Sequence, residues 1–318
     1  MKITVLDGFG LNPGDLSWDS LALLGDLTVY DRTSPSELIK RAQGSNILLT
    51  NKTVIDADAI TRLPDLRYIG VLATGYNVVD IEEALKRGIV VTNIPAYSTM
   101  SVAQQVFAFL LAVTNKVEHY TTEVREGKWT RCPDFCFWDT PLMEIAGKTF
   151  GIIGLGNIGK AVGKIALAFD MNVIAKTSKT QDFLPSGIKK VEYADLFSKS
   201  DIISLHCPLT DKNKELINRD TISQMKDEVI IINTGRGGLI DENAVAEGLK
   251  SGKIKAFCAD VLSTEPPGSN NPLLEAPNVF LTPHIAWATK EARNRLMEIS
   301  LNNLKAFIAG NPCNQVNC

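Results

Sequence analysis

Gly154-Leu-Gly156-Asn-Ile-Gly159 follows directly after the apolar run Thr149-Phe-Gly-Ile-Ile153, and an amphipathic segment with helical spacing comes behind it. Strand, glycine turn and helix therefore occur in the order that a dinucleotide-binding crossover requires. The first glycine permits a tight turn, the second lets a pyrophosphate approach the backbone, and the third lets helix and strand pack closely. The stretch predicts a dinucleotide site at a helix N-terminus, with a purely structural glycine turn as the alternative.

Composition limits the class of protein. The chain has 318 residues, with 33 basic and 36 acidic side chains and no basic block, which argues against nucleic-acid binding. No apolar stretch is long enough to span a bilayer, and Met1–Asp7 is typical of a first strand rather than a signal peptide, so we expect a cytoplasmic protein. The six cysteines are too few and scattered for a disulfide framework. Cys132 and Cys136 lack a second ligand pair, so we expect no metal site.

Short β-branched runs alternate with helical segments, which indicates parallel α/β layers. The first series of predicted strands comprises 2–7, 46–50, 67–72 and 89–92, with helices such as 36–43 and 81–86 between them. The second series comprises 149–153, 172–176, 201–206, 228–233, 255–261 and 279–282. Six strands suit a complete dinucleotide-binding sheet with the order 3-2-1-4-5-6.

Two further segments are predicted to be helices. Residues 98–120 are almost continuously apolar, so a helix there must be buried on several sides, by both domains or by a second subunit. Residues 291–308 are amphipathic and follow the last strand. They are able to return to the first domain and make it discontinuous.

Three polar residues follow the last three predicted strands. Arg236 follows the fourth, Glu265 the fifth and His284 the sixth, at the edge of the sheet that faces the nicotinamide. They offer a cation for an anionic substrate, a carboxylate to orient an imidazole, and an imidazole for proton transfer. His206 follows the third strand, which places it in the adenosine half and excludes it as the acid. His119 ends the apolar helix and is interpreted as a partner of the helix dipole.

Each of the three residues also has an ordinary structural interpretation. Arg236 suits surface charge in a glycine turn, Glu265 suits a solvated loop, and His284 suits a buried histidine with satisfied hydrogen bonds. Only their joint placement at adjacent strand ends favours a reducing site.

The sequence resembles the D-isomer-specific 2-hydroxyacid dehydrogenases nearly from end to end. The resemblance is carried by 72–80, 151–159, His206-Cys-Pro-Leu-Thr210, Asn233-Thr-Gly-Arg-Gly-Gly-Leu-Ile-Asp241, Ala259-Asp260, Ser263-Thr-Glu-Pro266 and Thr282-Pro-His284. It implies two doubly wound α/β domains separated by a cleft. These are a flavodoxin-like substrate domain (1–98 and 287–318) and a Rossmann dinucleotide-binding domain (99–286), which close by rotation near Ser98 and Ala286.

The resemblance also implies roles for individual residues. Arg236 and His284 contact the substrate, Glu265 partners the histidine, and backbone amides near Thr74 and Gly75 hold the substrate carboxylate. A homodimer forms around the 98–120 helix. The cofactor contacts expected from the glycine turn, the second strand and the resemblance are Gly154, Leu155, Gly156, Asn157, Ile158, Gly159, Lys176, Thr177, Ser178, His206, Pro208, Thr234, Gly235, Arg236, Asp260, His284 and Ala286.

Within the family, 131–139 and 283–289 resemble the glycerate dehydrogenase (hydroxypyruvate reductase) branch, which implies hydroxypyruvate and D-glycerate, or glyoxylate and glycolate, as substrates. Gln104 and Ala286-Trp287 depart from the commoner pattern, so other 2-oxo acids stay open. The fold also serves dinucleotide-sensing proteins without turnover, such as the C-terminal-binding corepressors, and this remains the alternative of a different class.

Cofactor choice depends on the end of the second strand. An NAD site normally has an acidic residue about 20 residues past the glycine turn. This chain instead has Ile174-Ala-Lys-Thr-Ser-Lys-Thr180. Lys176 and Lys179 offer charge and Thr177 and Ser178 offer hydroxyls, so we expect NADPH to serve at least as readily as NADH. Solvated surface lysines with ordinary NADH binding are the alternative.

Overall fold

Parallel strands alternate with helices throughout the computed structural model, which describes residues 1–318. Its contacts divide the chain into two units, Met1–Ser98 with Ala288–Cys318, and Thr99–Trp287. Each unit is built on one fully parallel sheet. The predicted fold class of two parallel α/β domains is confirmed.

The first unit has a five-stranded sheet with the order β2-β1-β3-β4-β5. The central strands are apolar runs whose residues are all buried, because helices cover both faces of such a sheet. The elements are β1 (Lys2–Val5), α1 (Asp19–Ala22), β2 (Asp26–Val29), α2 (Leu38–Ala42), β3 (Ile47–Thr50), α3 (Ala57–Thr61), β4 (Tyr68–Val71), α4 (Ile81–Lys86) and β5 (Val90–Thr92).

The C-terminal segment completes this unit. Helix α11 (Lys290–Ile308) packs on β4, and the Phe307 ring lies 4.8 Å from that of Tyr68. The side chain of Asn317 then bonds to the free edge of β5, since its Oδ1 accepts from Val91 N (2.9 Å) and its Nδ2 donates to Ile89 O (2.7 Å). These bonds cover the exposed edge of β5.

The second unit has a seven-stranded sheet with the order β12-β11-β10-β9-β6-β7-β8. Its core consists of β-branched strand residues and the helices packed on them. The elements are α5 (Thr99–Asn115), α6 (Val117–Arg125), β6 (Thr149–Ile153), α7 (Asn157–Ala168), β7 (Asn172–Lys176), β8 (Ile188–Lys190), α8 (Tyr193–Lys199), β9 (Ile202–Leu205), α9 (Arg219–Ser223), β10 (Val229–Asn233), α10 (Glu242–Lys250), β11 (Ile254–Ala259) and β12 (Val279–Leu281).

Two short edge strands were missing from the prediction. Strand β2 has no buried residue, and β8 reads Ile-Lys-Lys with only Ile188 buried. An edge strand pairs on one side only and needs no continuous apolar run, so neither carries the expected pattern. Because β8 is the third strand of the second unit, β9, β10, β11 and β12 are its fourth to seventh strands.

The predicted helix 98–120 is in fact two helices. Lys116 has φ 50°, in the left-handed region, and ends α5 before α6 begins at Val117. The break coincides with a change of environment, because α5 buries nine residues within the second unit and α6 buries none. His119 therefore lies in the first turn of α6, and its interpretation as a C-terminal dipole partner is wrong.

No helix in the structure has both the length and the apolar character needed to cross a bilayer.

Candidate active site and cofactor site

The glycine turn between β6 and α7 has the geometry that each glycine was predicted to supply. Gly154 has φ +97°, and a Cβ there would lie 2.5 Å from the amide nitrogen of Cys207. A Cβ on Gly159 would lie 2.2 Å from the carbonyl oxygen of Gly154, whereas one on Gly156 would meet nothing within 4 Å. Two glycines are required by packing, and the middle one leaves open space for an approaching ligand.

Helix α7 begins at this turn without a side-chain cap. The first helical hydrogen bond of the turn runs from the amide of Lys160 to the carbonyl of Gly156 (3.0 Å). The amides of Asn157, Ile158 and Gly159 precede it and have no partner within the helix. They form the positive end of a 12-residue helix, which suits a pyrophosphate.

Thr234 gives an independent indication of a ligand on the same sheet edge. Its Oγ1 is the one buried side-chain polar atom of the chain that lacks a hydrogen-bond partner. A buried hydroxyl without a partner costs about 1–3 kcal/mol, so such an atom in a functional region points to a missing partner. The open space at Gly156, the free amides of α7 and this hydroxyl fit a dinucleotide.

Glu265 and His284 form the central polar contact of the site. His284 Nδ1 lies 2.6 Å from Glu265 Oε2, and both side chains remain about one-third exposed. The other carboxylate oxygen of Glu265 accepts from the amide of Leu262 (3.1 Å), which fixes the carboxylate. Since Nδ1 is held by the carboxylate, Nε2 is the nitrogen that is free to exchange a proton with a substrate.

Asp260 positions the segment that carries His284. Its buried carboxylate accepts from Thr282 Oγ1 (2.6 Å) and from the amides of Ile285 (2.8 Å) and Ala286 (2.9 Å). These three bonds lie on both sides of His284, whose φ of 55° is unusual for a residue with a side chain. Asp260 was predicted to contact the cofactor. In the structure its hydrogen bonds hold the backbone on either side of His284.

Arg236 follows β10. The next strand in the sheet is β11, which is followed in the chain by Glu265, and the strand beyond it is β12, which is followed by His284. Arg236 Nη1 donates to the carbonyl of Gly235 (2.8 Å), and the guanidinium pairs with no carboxylate. The side chain of Asn233 holds the turn, because its Oδ1 accepts from the amide of Gly235 (3.0 Å) and its Nδ2 donates to the carbonyl of Arg236 (2.9 Å). An exposed guanidinium in a fixed turn, without an acidic partner, is suited to bind an anionic substrate.

His206 requires a correction. It follows β9, the fourth strand, which pairs with both β6 and β10, so it does not lie in the adenosine half. The environment of His206 is what excludes it as the proton donor. His206 Nε2 is paired with Ser204 Oγ (2.9 Å), and desolvation lowers the pKa of His206 to about 3. It is neutral near pH 7 and a poor proton donor.

Thr74 and Gly75 belong to the first unit and follow β4. Thr74 is fixed through Oγ1 to Ile94 O (2.8 Å) and through its carbonyl to Asn93 Nδ2 (2.8 Å). The backbone amides of Thr74 and Gly75 donate no hydrogen bond within the chain. Two free amides in a fixed turn are suited to a carboxylate.

Lys176, at the end of β7, does not have the environment that was expected for it. Its ammonium pairs with Glu192 and lies over the Tyr193 ring, so its charge is neutralised within the chain. Lys179 remains, with Nζ donating to Leu155 O (3.1 Å) beside the glycine turn. Thr177 is buried and Ser178 exposed.

Lys160 was missed by the sequence analysis. It lies in the first turn of α7, and with Lys179, Thr180 and Phe183 it lines a cavity of about 350 Å³. Desolvation and the neighbouring Lys160 lower the pKa of Lys179. Lys160 was identifiable from the sequence, because it directly follows Gly159, the last glycine of the turn, near the start of the predicted helix.

A family comparison identifies the second unit. Residues 107–286 match the NAD-binding domain of the D-isomer specific 2-hydroxyacid dehydrogenases. The chain belongs to this family. It is also 50% identical, over the full length of both chains, to a hydroxypyruvate reductase from Blautia hydrogenotrophica. A glycerate dehydrogenase from Methylorubrum extorquens is 41% identical over 90% of each chain.

Solved structures agree with this assignment. An acyclic imino acid reductase in complex with NADPH and D-Arg superposes with a TM-score of 0.85 at 34% identity, covering 99% of this chain and all of that chain. The apo-structure of D-lactate dehydrogenase from Escherichia coli gives the same TM-score at 29% identity and the same coverage. The chain is thus an NAD(P)-dependent oxidoreductase that interconverts 2-oxo acids and D-2-hydroxy acids.

Proposed function

We propose that this dehydrogenase acts on small unphosphorylated substrates, namely hydroxypyruvate and D-glycerate, or glyoxylate and glycolate. The observation that carries the chemistry is the 2.6 Å contact between His284 and Glu265, on the sheet edge that also carries the unpaired Arg236. The choice of substrate is supported by the likeness to the hydroxypyruvate reductase and the glycerate dehydrogenase over nearly the whole chain.

The proposed roles follow from the chemistry of each group. A bound nicotinamide supplies the hydride that reduces the 2-carbonyl carbon. The guanidinium of Arg236 holds the substrate carboxylate and 2-oxygen, with the free amides of Thr74 and Gly75 as further carboxylate donors. His284, as imidazolium, gives its Nε2 proton to the carbonyl oxygen, and Glu265 stabilises the positive charge before transfer. In the reverse direction neutral His284 accepts the hydroxyl proton.

We propose that one unit binds the substrate and the other binds the dinucleotide. Residues 1–98 and 287–318 form the substrate domain, and 99–286 form the dinucleotide domain. The remaining cofactor contacts proposed in the second unit are Leu155, Pro208, Gly235 and Ala286. The six free thiols support a location in the reducing cytoplasm.

A substrate panel tests the reaction. Hydroxypyruvate, glyoxylate, pyruvate and a branched-chain 2-oxo acid are compared by cofactor oxidation, each with NADH and with NADPH. We expect the highest kcat/KM with hydroxypyruvate or glyoxylate. Highest efficiency with pyruvate or the branched-chain acid would contradict the substrate proposal, and no oxidation with any of them would favour a dinucleotide-sensing protein without turnover.

We further propose that NADPH serves at least as readily as NADH. Residues 176–180 at the end of β7 include no acidic residue of the kind that repels a 2′-phosphate, and Lys160 and Lys179 line a cavity beside them. Since Lys176 is neutralised by Glu192, the proposed phosphate contacts are Lys160, Lys179, Thr177 and Ser178. A charge-assisted contact of about 1.5–3 kcal/mol corresponds to roughly 10- to 150-fold in affinity.

Kinetics with both cofactors test this proposal. Lys160→Met and Lys179→Met should each lower kcat/KM for NADPH by about tenfold or more and leave that for NADH nearly unchanged. Thr177→Asp should shift preference toward NADH, and Lys176→Met serves as the control. A strong NADH preference in the unmodified protein, left intact by Thr177→Asp, would overturn the proposal.

We also propose that the protein is a homodimer formed around α5, α6 and the segment that follows. Large apolar side chains in this stretch are exposed, among them Val117 (67%), Trp129 (51%), Phe135 (89%), Trp138 (69%) and Leu142 (57%). Exposed apolar surface of this kind supports an interaction surface.

Light scattering on a size-exclusion column tests the dimer. We expect twice the chain mass for the unmodified protein and a shift toward the monomer for Phe135→Ser with Trp138→Ser. Leu23→Ser is the matched control, because Leu23 is 87% exposed on the first unit. A monomer before any substitution would contradict the proposal.

A further inference from the structure

The first unit carries a crevice at the switch point of its sheet, which no role described above uses. In the order β2-β1-β3-β4-β5 the chain reverses direction between β1 and β3. Ligands of open parallel sheets bind outside the carboxyl ends of the strands at this point. A cavity of about 450 Å³ lies there, lined by residues that directly follow β1, β2 and β3 and by helices α2 and α3.

The walls of this crevice are held in place by the chain itself. The carboxylate of Asp7 accepts from the amides of Asn51 (2.7 Å), Lys52 (2.6 Å) and Thr53 (2.7 Å), which fixes the loop after β3. The loop after β2 is fixed by Arg41, which donates to Thr33 Oγ1 (3.0 Å) and to the carbonyl of Arg32. The crevice is therefore formed without a ligand.

The charged side chains that line the crevice differ in whether they already have partners within the chain. Asp7 is used by the three amides, Asp56 caps α3 through the amide of Ala59 (2.8 Å), and Asp58 pairs with Arg62 (3.2 Å). Lys52 has no ion pair or side-chain hydrogen bond, and the Arg32 guanidinium has none either, although it lies 4.0 Å from the centre of the Phe9 ring. The carboxylates of Asp7 and Asp56 stay negatively charged but already accept from backbone amides, so Lys52 and Arg32 are the charged groups that remain free to bind a ligand.

The remaining lining is apolar. Leu38 and Ala59 are buried, Ile39 is half-buried, and Val54 is 58% exposed at the rim. Apolar surface with a few cationic groups is typical of sites for organic anions. We propose that this crevice binds a small organic anion, with its apolar body on Leu38, Ile39 and Ala59 and its carboxylate or phosphate between Arg32 and Lys52.

Arg32 and Lys52 are not among the residues proposed above for the reaction. The occupant of the crevice differs in shape from a 2-oxo acid of three carbons, because such a substrate has no apolar body to cover α2 and α3. A metabolite that regulates the enzyme from the first unit would have the required chemistry.

Ligand-observed NMR titrations on the full chain, with and without NADPH, test the proposal. The probes are phenyl phosphate, benzoate, benzyl alcohol and inorganic phosphate. We expect phenyl phosphate or benzoate to bind more tightly than benzyl alcohol and inorganic phosphate, which each lack one half of the recognised structure. Preference for phenyl phosphate would indicate an organic phosphate, and preference for benzoate a carboxylate.

Variants identify the place of binding. The double variant Arg32→Ala/Lys52→Ala should weaken binding of the preferred probe by about tenfold or more. Lys52→Ala alone removes no side-chain contact within the chain, and it should also weaken binding of that probe. Arg67→Ala is the matched control, because Arg67 precedes β4 at the opposite edge of the same sheet. Arg236→Lys controls for binding at the active site.

Three outcomes would overturn the proposal. These are no binding of either aromatic anion, undiminished binding in the Arg32 and Lys52 variants, or equal loss in the Arg67 or Arg236 variant. None of them depends on turnover, so failure here is distinguishable from failure of the proposed reaction.

Discussion

His284 adopts a backbone conformation that is uncommon for residues with a side chain. A non-glycine residue at φ 55° costs about 1–3 kcal/mol and persists only where surrounding structure holds it. Asp260 supplies that support through the amides of Ile285 and Ala286. The imidazole is thereby fixed against Glu265 before any substrate binds.

Replacing Glu265 by glutamine should lower kcat for reduction. Reduction requires the imidazolium of His284, which the neighbouring carboxylate stabilises. Glutamine keeps a hydrogen-bond acceptor for Nδ1 but lacks the negative charge, so kcat for reduction should fall. His284→Ala should cost roughly a hundredfold or more in turnover.

Steady-state kinetics of reduction measure this effect. Glu144→Gln is the control, because Glu144 is an exposed carboxylate without an ion pair. An unchanged kcat in Glu265→Gln would disprove the partnership with His284.

Arg236 is expected to act through its planar geometry as well as its charge. Arg236→Lys keeps the charge but loses two parallel hydrogen bonds to the substrate, so KM should rise and kcat should fall. The combined loss should reach about 2–5 kcal/mol in kcat/KM. Steady-state kinetics with hydroxypyruvate measure it, and near-normal values would show that Arg236 is not the substrate anchor.

At the scale of elements, one ionic cluster ties the segment after α6 back to that helix. Asp139 accepts from His119 Nε2 (3.0 Å) and pairs with Lys128 (2.9 Å), whose ammonium also pairs with Glu123 (2.5 Å). Lys128 and His119 lower the pKa of Asp139 to about 2. The side chains of His119, Glu123 and Asp139 are spaced like metal ligands. Both carboxylates, however, already have a positive partner in the ammonium of Lys128.

Asp139→Asn should loosen the segment between Lys128 and Asp139, and hydrogen–deuterium exchange of its amides measures this. A lowered pKa means that the carboxylate stabilises the folded segment above its ordinary pKa of about 3.9 and that this stabilisation is lost as pH falls toward 2. Exchange should accelerate in the variant at pH 7. Asp134→Asn, in the same segment without an ion pair, is the control; equal exchange in both variants would refute the role of the cluster.

At the scale of the whole molecule, the discontinuous first unit depends on contacts between the two ends of the chain. Arg293 of α11 is buried and binds both oxygens of Asp15 (2.6 and 2.7 Å), the carbonyl of Leu11 (3.0 Å) and that of Ala288 (2.9 Å). Arg293 also lowers the pKa of Asp15. A single guanidinium thus joins segments about 280 residues apart.

Arg293→Met should lower the free energy of unfolding by about 1.5–3 kcal/mol at pH 7. The difference from the unmodified protein should shrink as pH falls below the ordinary range of an aspartate, because protonated Asp15 no longer pairs with the guanidinium. Urea denaturation at neutral and acidic pH measures both effects. Lys305→Met, at an exposed position on the same helix, is the control, and an equal loss in that variant would contradict the prediction.

The sequence alone determined the class of fold and the family. Alternating apolar runs and helical segments are local patterns, and the spacing of the glycine turn reports a local backbone requirement. Arg236, Glu265 and His284 could be located because residues at the ends of parallel strands meet at one edge of a sheet. Their catalytic roles remain predictions.

Only the tertiary structure decided which neighbours each residue has. Strand β8 leaves no apolar signal at the sheet edge, and without it His206 was assigned to the wrong half of the sheet. Lys176 was expected to face a phosphate, yet Glu192, 16 residues away, neutralises it. The free hydroxyl of Thr234 and the crevice at Arg32 and Lys52 likewise depend on segments brought together by folding. Hydrogen bonds, ion pairs and desolvation are properties of neighbours in space, and pattern along the chain carries little information about them.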